Sequence, residues 1–316
     1  MAEIHGLRCT VCDGRTIRPY VEITNCSRLF TLFRCENCSF IFVHPAPSAG
    51  ELASFYGEQY FQNPAFNSQD QANYFGYDIY IDDKANIQQK FMKCLRLLKG
   101  FREKGRLLDV GCATGFFLEL ASQMEYEAMG VEISNFASKY GLEKLGVNIL
   151  NKELRAAQFQ DESFDIVTLW DVIEHFPDPR SELIEINRIL VKGGIIGIIT
   201  PDIGALLPRM LGKHWLELKR VPEHLSFFSR FSLRGFLRRC GFEVLNIRTL
   251  GKKFYVNSML NNIAFQSTFF RDFVRIVSLR SLGNWIFPIT INPFYKMLVF
   301  ARKVADLPDG RLFPFE

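Results

Sequence analysis

The pattern of apolar and polar positions is clearest from residue 86 onward. Ile87, Phe91, Cys94 with Leu95, and Leu98 recur at helical spacing with Lys and Arg between them, which predicts a helix over 86–99. Short apolar runs then alternate with helical patterns. Strands are predicted at 107–110, 128–133, 147–150, 164–169 and 195–200, and helices at 116–124, 136–145 and 182–190, with Gly193-Gly194 as a turn before the last of those strands. A helix at 233–239 stopped by Gly241, a strand at 242–249 and a final strand at 295–301 follow. Strand and helix alternating in this order imply parallel crossovers, so the expected fold is α/β, a sheet with helices on both faces.

Elsewhere the pattern changes. Residues 1–45 carry two Cys-x-x-Cys pairs, Cys9 with Cys12 and Cys35 with Cys38, around an extended β-branched and aromatic stretch. The 22 residues between the pairs suit four thiolates around one tetrahedral metal, which predicts a zinc ribbon. Four sulfur ligands leave no open position, so the Zn2+ is expected to be structural. Residues 46–85, rich in Pro, Gly, Asn, Gln and Tyr, read as a connector or partial lid whose tyrosines reach toward a ligand. The domain that follows is expected to run over 86–305, with an apolar, Arg-dotted helical insertion at about 254–292 and a tail at 306–316.

The segment LLDVGCATGFF, residues 107–117, joins a buried strand to a helix through a glycine-rich turn. Gly111 and Gly115 let the backbone pass close to a ligand, and the helix that opens there turns its amides toward the same place. Asp109 at the strand end can accept from a cationic amine. Glu132, in GVEIS at the end of the next strand, can grip both hydroxyls of a ribose. The order Asp-x-Gly-x-x-x-Gly differs from the dinucleotide fingerprint Gly-x-Gly-x-x-Gly, which points to a ligand without a pyrophosphate.

These motifs resemble the class I S-adenosylmethionine (SAM)-dependent methyltransferases, of the type 11/12/23 kind. The likeness continues through SFDIVTLWDVIEHFPDP (163–179), EINRILVKGGIIGIITPD (185–202) and FSLRGFLRRCGFEV (231–244), and covers roughly residues 86–250. The resemblance implies a Rossmann-like sheet, SAM as cofactor, Asp109 and Gly111 against its methionine part and Glu132 on its ribose. It also places Cys112, as a small packing residue, Gly115 and Trp170 at the cofactor, and by family spacing Glu153 and Leu154 at the adenine edge.

Methyl transfer from a sulfonium is an in-line displacement, so the protein must align the acceptor and remove a proton from a hydroxyl or acidic carbon. Two clusters could supply the base. In WDVIEHF, Asp171, Glu174 and His175 follow a strand at the edge where open α/β sheets bind ligands. The trio is similar to the acid, acid and histidine metal site of some quinone O-methyltransferases, although the Glu-His pair also occurs in the superfamily without metal. In PEHLSFFS (222–229), the likeness is to zinc-containing sugar C-methyltransferases, which implies His224 as base with Glu223 orienting its ring or binding substrate, the alternative being that His224 only caps or packs the loop. Val221 stands where that family has a tyrosine, and the family's long C-terminal domain is missing. LGKHWLELKR (211–220) reads as a lid on which His214 and Trp215 could stack or bind a carboxylate, although a Trp between apolar residues is more often core.

Composition narrows the setting. At 48% hydrophobic and 23% charged, the chain of 316 residues can bury a sizeable core. Its 38 Lys and Arg against 34 Asp and Glu leave +4, too little to argue for nucleic acid, and Arg234, Arg238 and Arg239 form only a short basic patch. No basic-then-apolar leader and no long unbroken apolar span is visible, so the expected location is cytoplasmic, with peripheral membrane contact left open. The partner read from all this is a small-molecule acceptor, most of all a hydroxyl of a sugar, glycan or lipid-linked intermediate. The rival readings are an RNA base methyltransferase that uses the ribbon for RNA and a noncatalytic scaffold. No residue pattern sets the oligomeric state.

Overall fold

The computed structural model describes residues 6–25, 28–48, 50–52, 56, 58–61, 80–250, 252–255, 288–291, 296–307 and 311–315. Three strands open the chain, β1 (Ile17–Asn25), β2 (Arg28–Cys35) and β3 (Ile41–Val43), paired antiparallel in that order. The alternating part runs through α1 (Lys84–Lys99), β4 (Arg106–Val110), α2 (Phe116–Gln123), β5 (Glu127–Val131), α3 (Asn135–Tyr140), β6 (Asn148–Leu150), β7 (Phe164–Trp170), α4 (Pro179–Ile189) and β8 (Leu190–Pro201). After α5 (Leu206–Leu211), β9 (Ser226–Phe227) and α6 (Arg230–Arg239) come β10 (Phe242–Thr249), β11 (Lys252–Tyr255), β12 (Pro288–Ile291) and β13 (Lys296–Lys303).

The central sheet has the order β10-β13-β8-β7-β4-β5-β6. Strands β4 to β8 are mutually parallel and β13 runs antiparallel to β8, giving the Rossmann-like α/β sheet expected from the alternation. Alternate residues of each strand feed opposite cores. Leu107, Ile166 and Leu298 face α1 and α2, whereas Leu108, Val167 and Val299 face α4 and α6. Burial on both faces is why these strands read as continuous apolar runs. Asp178 accepts from the Arg180 N–H to start α4, with Pro179 in the first turn, and Ser229 forms a capping box with Ser232 to start α6.

Some boundaries differ from the pattern. The Gly193-Gly194 turn lies inside β8 as a bulge: Phe164 pairs with Leu190 and Ile166 with Ile195, and Gly193 takes φ +77°. The helix expected over 136–145 is α-helical only to Tyr140 and continues as a π turn, Gly141–Leu145. At the proposed helical insertion, β11 and β12 pair antiparallel; residues 256–287 between them lie outside the described residues.

The cysteine-bearing strands do not form a detached unit. Strand β3 pairs with β9, so the N-terminal sheet reads β1-β2-β3-β9 and takes its last strand from the PEHLSFFS segment. Phe40 packs on Phe228 with ring centroids 4.8 Å apart. Arg180 and Arg239 both bind the carboxylate of Asp13, and they also donate to the carbonyls of Thr10 and Val11 respectively. Arg239 therefore leaves the basic patch suggested by its sequence neighbours; it is buried as a clamp. Its Nε also donates to the Phe313 carbonyl, which docks the tail on α6.

Candidate functional site

The strand order reverses around β4, and ligands of open α/β sheets sit outside the carboxyl ends at such a point. A cavity of about 350 Å³ lies there. Asp109, Gly111, Cys112, Glu132, Glu153, Leu154, Trp170 and His175 all line it. Gly115 does not: at φ +81° a Cβ would meet Val147 at 2.6 Å, so its lack of a side chain serves the packing of the turn at the start of α2. At Gly111, φ is +65° and a Cβ would meet Val172 at 2.7 Å, which keeps the loop low beneath the cavity.

The two carboxylates are held differently. Asp109 accepts from the Thr168 hydroxyl at 2.6 Å, and burial, reinforced by the charge of Glu132, pushes its pKa up to about 8. Glu132 accepts from the backbone N–H of Ala113 at 2.9 Å and of Ser134 at 2.7 Å, and burial raises its pKa despite these bonds. Each Glu132 oxygen keeps a lone pair for a ribose hydroxyl. Asp109 is a buried carboxyl whose charge a bound ammonium would restore. On the same wall the Trp170 indole N–H is buried with no acceptor among the described residues. A cationic, hydroxyl-bearing ligand such as SAM meets these needs.

The connector supplies the opposite wall. Leu52, Tyr56, Tyr60, Phe61 and Tyr80 all line the cavity. Tyr56 Oη lies 3.2 Å from His175 Nδ1, and Tyr60 donates to Glu223 Oε1 at 2.7 Å. Arg220 also donates to Glu223, which leaves that residue in a structural pairing off the cavity.

His224 is not on the cavity wall either. It is buried behind His175, the two rings edge to face at 4.8 Å, with its Nδ1 3.4 Å from Glu217 Oε2. Burial, and then the charge of Arg220, holds its pKa well below the usual histidine range. Burial also lowers the pKa of His175, so both rings are neutral near pH 7. Of the two candidate bases, the one that reaches the cavity is His175.

Asp171 does not join its sequence neighbours. It takes φ +60°, and although burial alone would raise its pKa, Lys296 and Lys90, each 2.7 Å away, hold it well below the usual carboxylate range. The atoms that do converge belong to Glu174, His175 and His224, all within 4.8 Å of one another. Neither oxygen of Glu174 has a hydrogen-bond partner among the described residues, and burial together with the charge of Asp171 pushes its pKa up to about 8. His214 sits in a short 3-10 turn, whereas Trp215 is buried against Phe227 as core rather than on a lid.

The four ribbon cysteines also converge. Cys9 and Cys38 sulfurs lie 3.6 Å apart, Cys12 and Cys35 3.5 Å apart, and all four fall within 4.8 Å of each other. Thiolates around a tetrahedral zinc stand about 3.8 Å apart, given Zn–S bonds of about 2.3 Å. Both loops share one geometry: Asp13 donates its N–H to the Cys9 carbonyl and Ser39 to that of Cys35, and both take positive φ.

Sequence reasoning missed Thr168, Lys90, Lys296 and Glu217. Thr168 and Glu217 lie inside segments singled out for other residues, and Lys90 and Lys296 reach Asp171 from an element remote in sequence. Only the tyrosine-rich connector announced its part.

Residues 83–247 match the family model described as a methyltransferase domain. A ubiquinone biosynthesis O-methyltransferase of Paraburkholderia phymatum is 28% identical over 157 residues, 45% of this chain and 66% of the relative, just under two thirds of its length. An uncharacterized protein of Methanocaldococcus jannaschii is 30% identical over 172 residues, 53% of this chain and 77% of its own. Among solved structures, a Bacillus halodurans protein provisionally named a methyltransferase superposes with a TM-score of 0.50 at 18% identity, covering 69% of this chain and 100% of that one, a likeness of fold. Among the described residues no helix is long and apolar enough to cross a membrane.

Proposed function

The chain belongs to the methyltransferase-domain family, and from that premise we propose that it transfers the methyl group of SAM to a hydroxyl oxygen of a small acceptor of the sugar, glycan or lipid-linked kind. One observation carries the reading: Asp109, Glu132 and His175 line a single cavity at the carboxyl edge of the sheet. Asp109 receives the methionyl ammonium, Glu132 the ribose hydroxyls, and His175 takes the proton that the acceptor releases as the carbon–oxygen bond forms. His224 supports His175 from behind. The aromatic wall of Tyr56, Tyr60, Phe61 and Tyr80 favours the lipid-linked member of the acceptor class. Relatives named as ubiquinone O-methyltransferases support oxygen as the acceptor atom.

Structural zinc at Cys9, Cys12, Cys35 and Cys38 and a cytoplasmic setting complete the proposal. A second reading, favoured by the buried Glu174 carboxylate that has no hydrogen-bond partner among the described residues, is a divalent cation held by Glu174, His175 and His224, in which case His175 is a ligand and not the base. The test is a screen of hydroxyl-bearing acceptors for S-adenosylhomocysteine release, with and without added Mg2+ or Zn2+. Release that needs an acceptor hydroxyl and disappears in His175→Ala supports the proposal; transfer only to RNA contradicts it.

A further inference from the structure

A second cavity, of about 600 Å³, opens between the N-terminal sheet and α5. Tyr20 and Arg34 line it from the sheet, Pro208, Arg209 and Gly212 from α5 and its end, and Phe231 from the start of α6; among the described residues no Asp or Glu lines it. Lys213 follows directly in the next turn. Among the described residues, no carboxylate pairs with Arg34, Arg209 or Lys213, whereas Arg230 nearby is already bound to Asp202.

The rim of this basic cleft is apolar. Leu206 is 68% exposed, Met210 75% and Phe231 60%. Leu206 and Met210 stand four residues apart and share one side of α5, and neither lines the cavity, so both project outward past it. Core packing explains neither position, since Pro208 on the same helix already supplies its buried contact.

Exposed cationic groups beside exposed apolar side chains match an interface that is charged at the surface and apolar a few ångströms deeper. A folded acidic partner would have to bury the tips in a matching pocket; a bilayer accepts them without shape complementarity. We infer that this face docks the protein on an anionic phospholipid bilayer, lipid phosphates meeting Arg34, Arg209 and Lys213 while Leu206, Met210 and Phe231 enter the acyl boundary. The inference stands apart from the methyl-transfer proposal, because none of these residues lines the cofactor cavity.

The test is sedimentation of the full chain with vesicles of phosphatidylcholine alone and of phosphatidylcholine with phosphatidylglycerol. Partition is expected only onto the anionic vesicles and is expected to weaken as salt rises. Each basic residue near such a surface contributes about fivefold to partition, so Arg209→Glu with Lys213→Glu lowers it at least about twentyfold. Leu206→Ser with Met210→Ser lowers it on anionic vesicles at any salt. Calorimetric SAM titration of each variant serves as the folding control, with unchanged affinity expected. No partition onto anionic vesicles at low salt, or partition by both variants equal to that of the parent, overturns the inference. Capture of the parent by soluble poly-glutamate as tightly as by vesicles, indifferent to Leu206→Ser and Met210→Ser, overturns it in favour of an acidic protein.

Discussion

The backbone N–H of Val43 donates to the carbonyl of Leu225 across 2.9 Å. Leu225 in turn donates its N–H to the Glu174 carbonyl at 2.8 Å, so the segment carrying His224 is strung between the cysteine-bearing sheet and the loop that carries His175. The ribbon thereby helps to place the site without touching the cofactor cavity.

Removing the metal should loosen that segment. One zinc per chain is expected by elemental analysis, and chelation, or Cys35→Ser, should speed amide exchange at residues 224–227 and lower stability by several kcal/mol, about the scale on which structural zinc supports small folds. Zinc loss with unchanged exchange there would refute the linkage.

The clamp at the ribbon can be tested by itself. Arg239 is buried while Asp13 is partly exposed, so Arg239→Ala should cost somewhat less than a fully buried pair, about 2–3 kcal/mol in denaturant unfolding. A loss under about 0.5 kcal/mol, the range of ordinary surface changes, would mean that the ribbon docks by apolar contact alone.

Cofactor binding depends on pH if the SAM ammonium is received, as proposed, by Asp109. Its folded pKa of about 8 stands above the unfolded carboxylate value, so its contribution favours the fold at low pH and is lost as pH rises from about 4 through about 8. Asp109→Asn should therefore gain about 1–3 kcal/mol of ligand-free stability near pH 7 while losing SAM affinity. For the parent, SAM affinity should climb with pH up to about 8, by at most about tenfold per unit. A flat profile between pH 6 and 8 would contradict this.

The two histidines should separate kinetically. His175→Ala is expected to lower kcat by about 10²–10⁴ with SAM affinity unchanged, as loss of a general base does. His224→Gln, which lies behind the cavity, should cost less and act through stability and the pH profile of His175. The opposite ranking would return the base to His224.

Much of this was legible in the chain. The sheet could be read because strands buried on both faces must be apolar throughout, and the place of Asp109, Gly111 and Glu132 at its carboxyl edge because strand, turn and helix follow in that order. The two-residue β9 was illegible: it has no period to detect, and its pairing with β3 depends on a contact across some 185 residues. For the same reason, the burial of His224 behind His175 could not be read from its motif, and Arg239 looked like part of a basic patch. Asp171, a member of the metal-like trio in the sequence, takes a left-handed backbone and pairs with Lys90 and Lys296, two lysines remote in sequence that no local pattern reveals.

The most direct measurement is calorimetric titration of the purified protein with SAM and S-adenosylhomocysteine beside Asp109→Ala and Glu132→Ala. The account predicts one site per chain in the parent and binding weakened at least about tenfold in each variant, since both lose a charged hydrogen-bond partner. Absence of binding by the parent, or equal binding by all three, would contradict it.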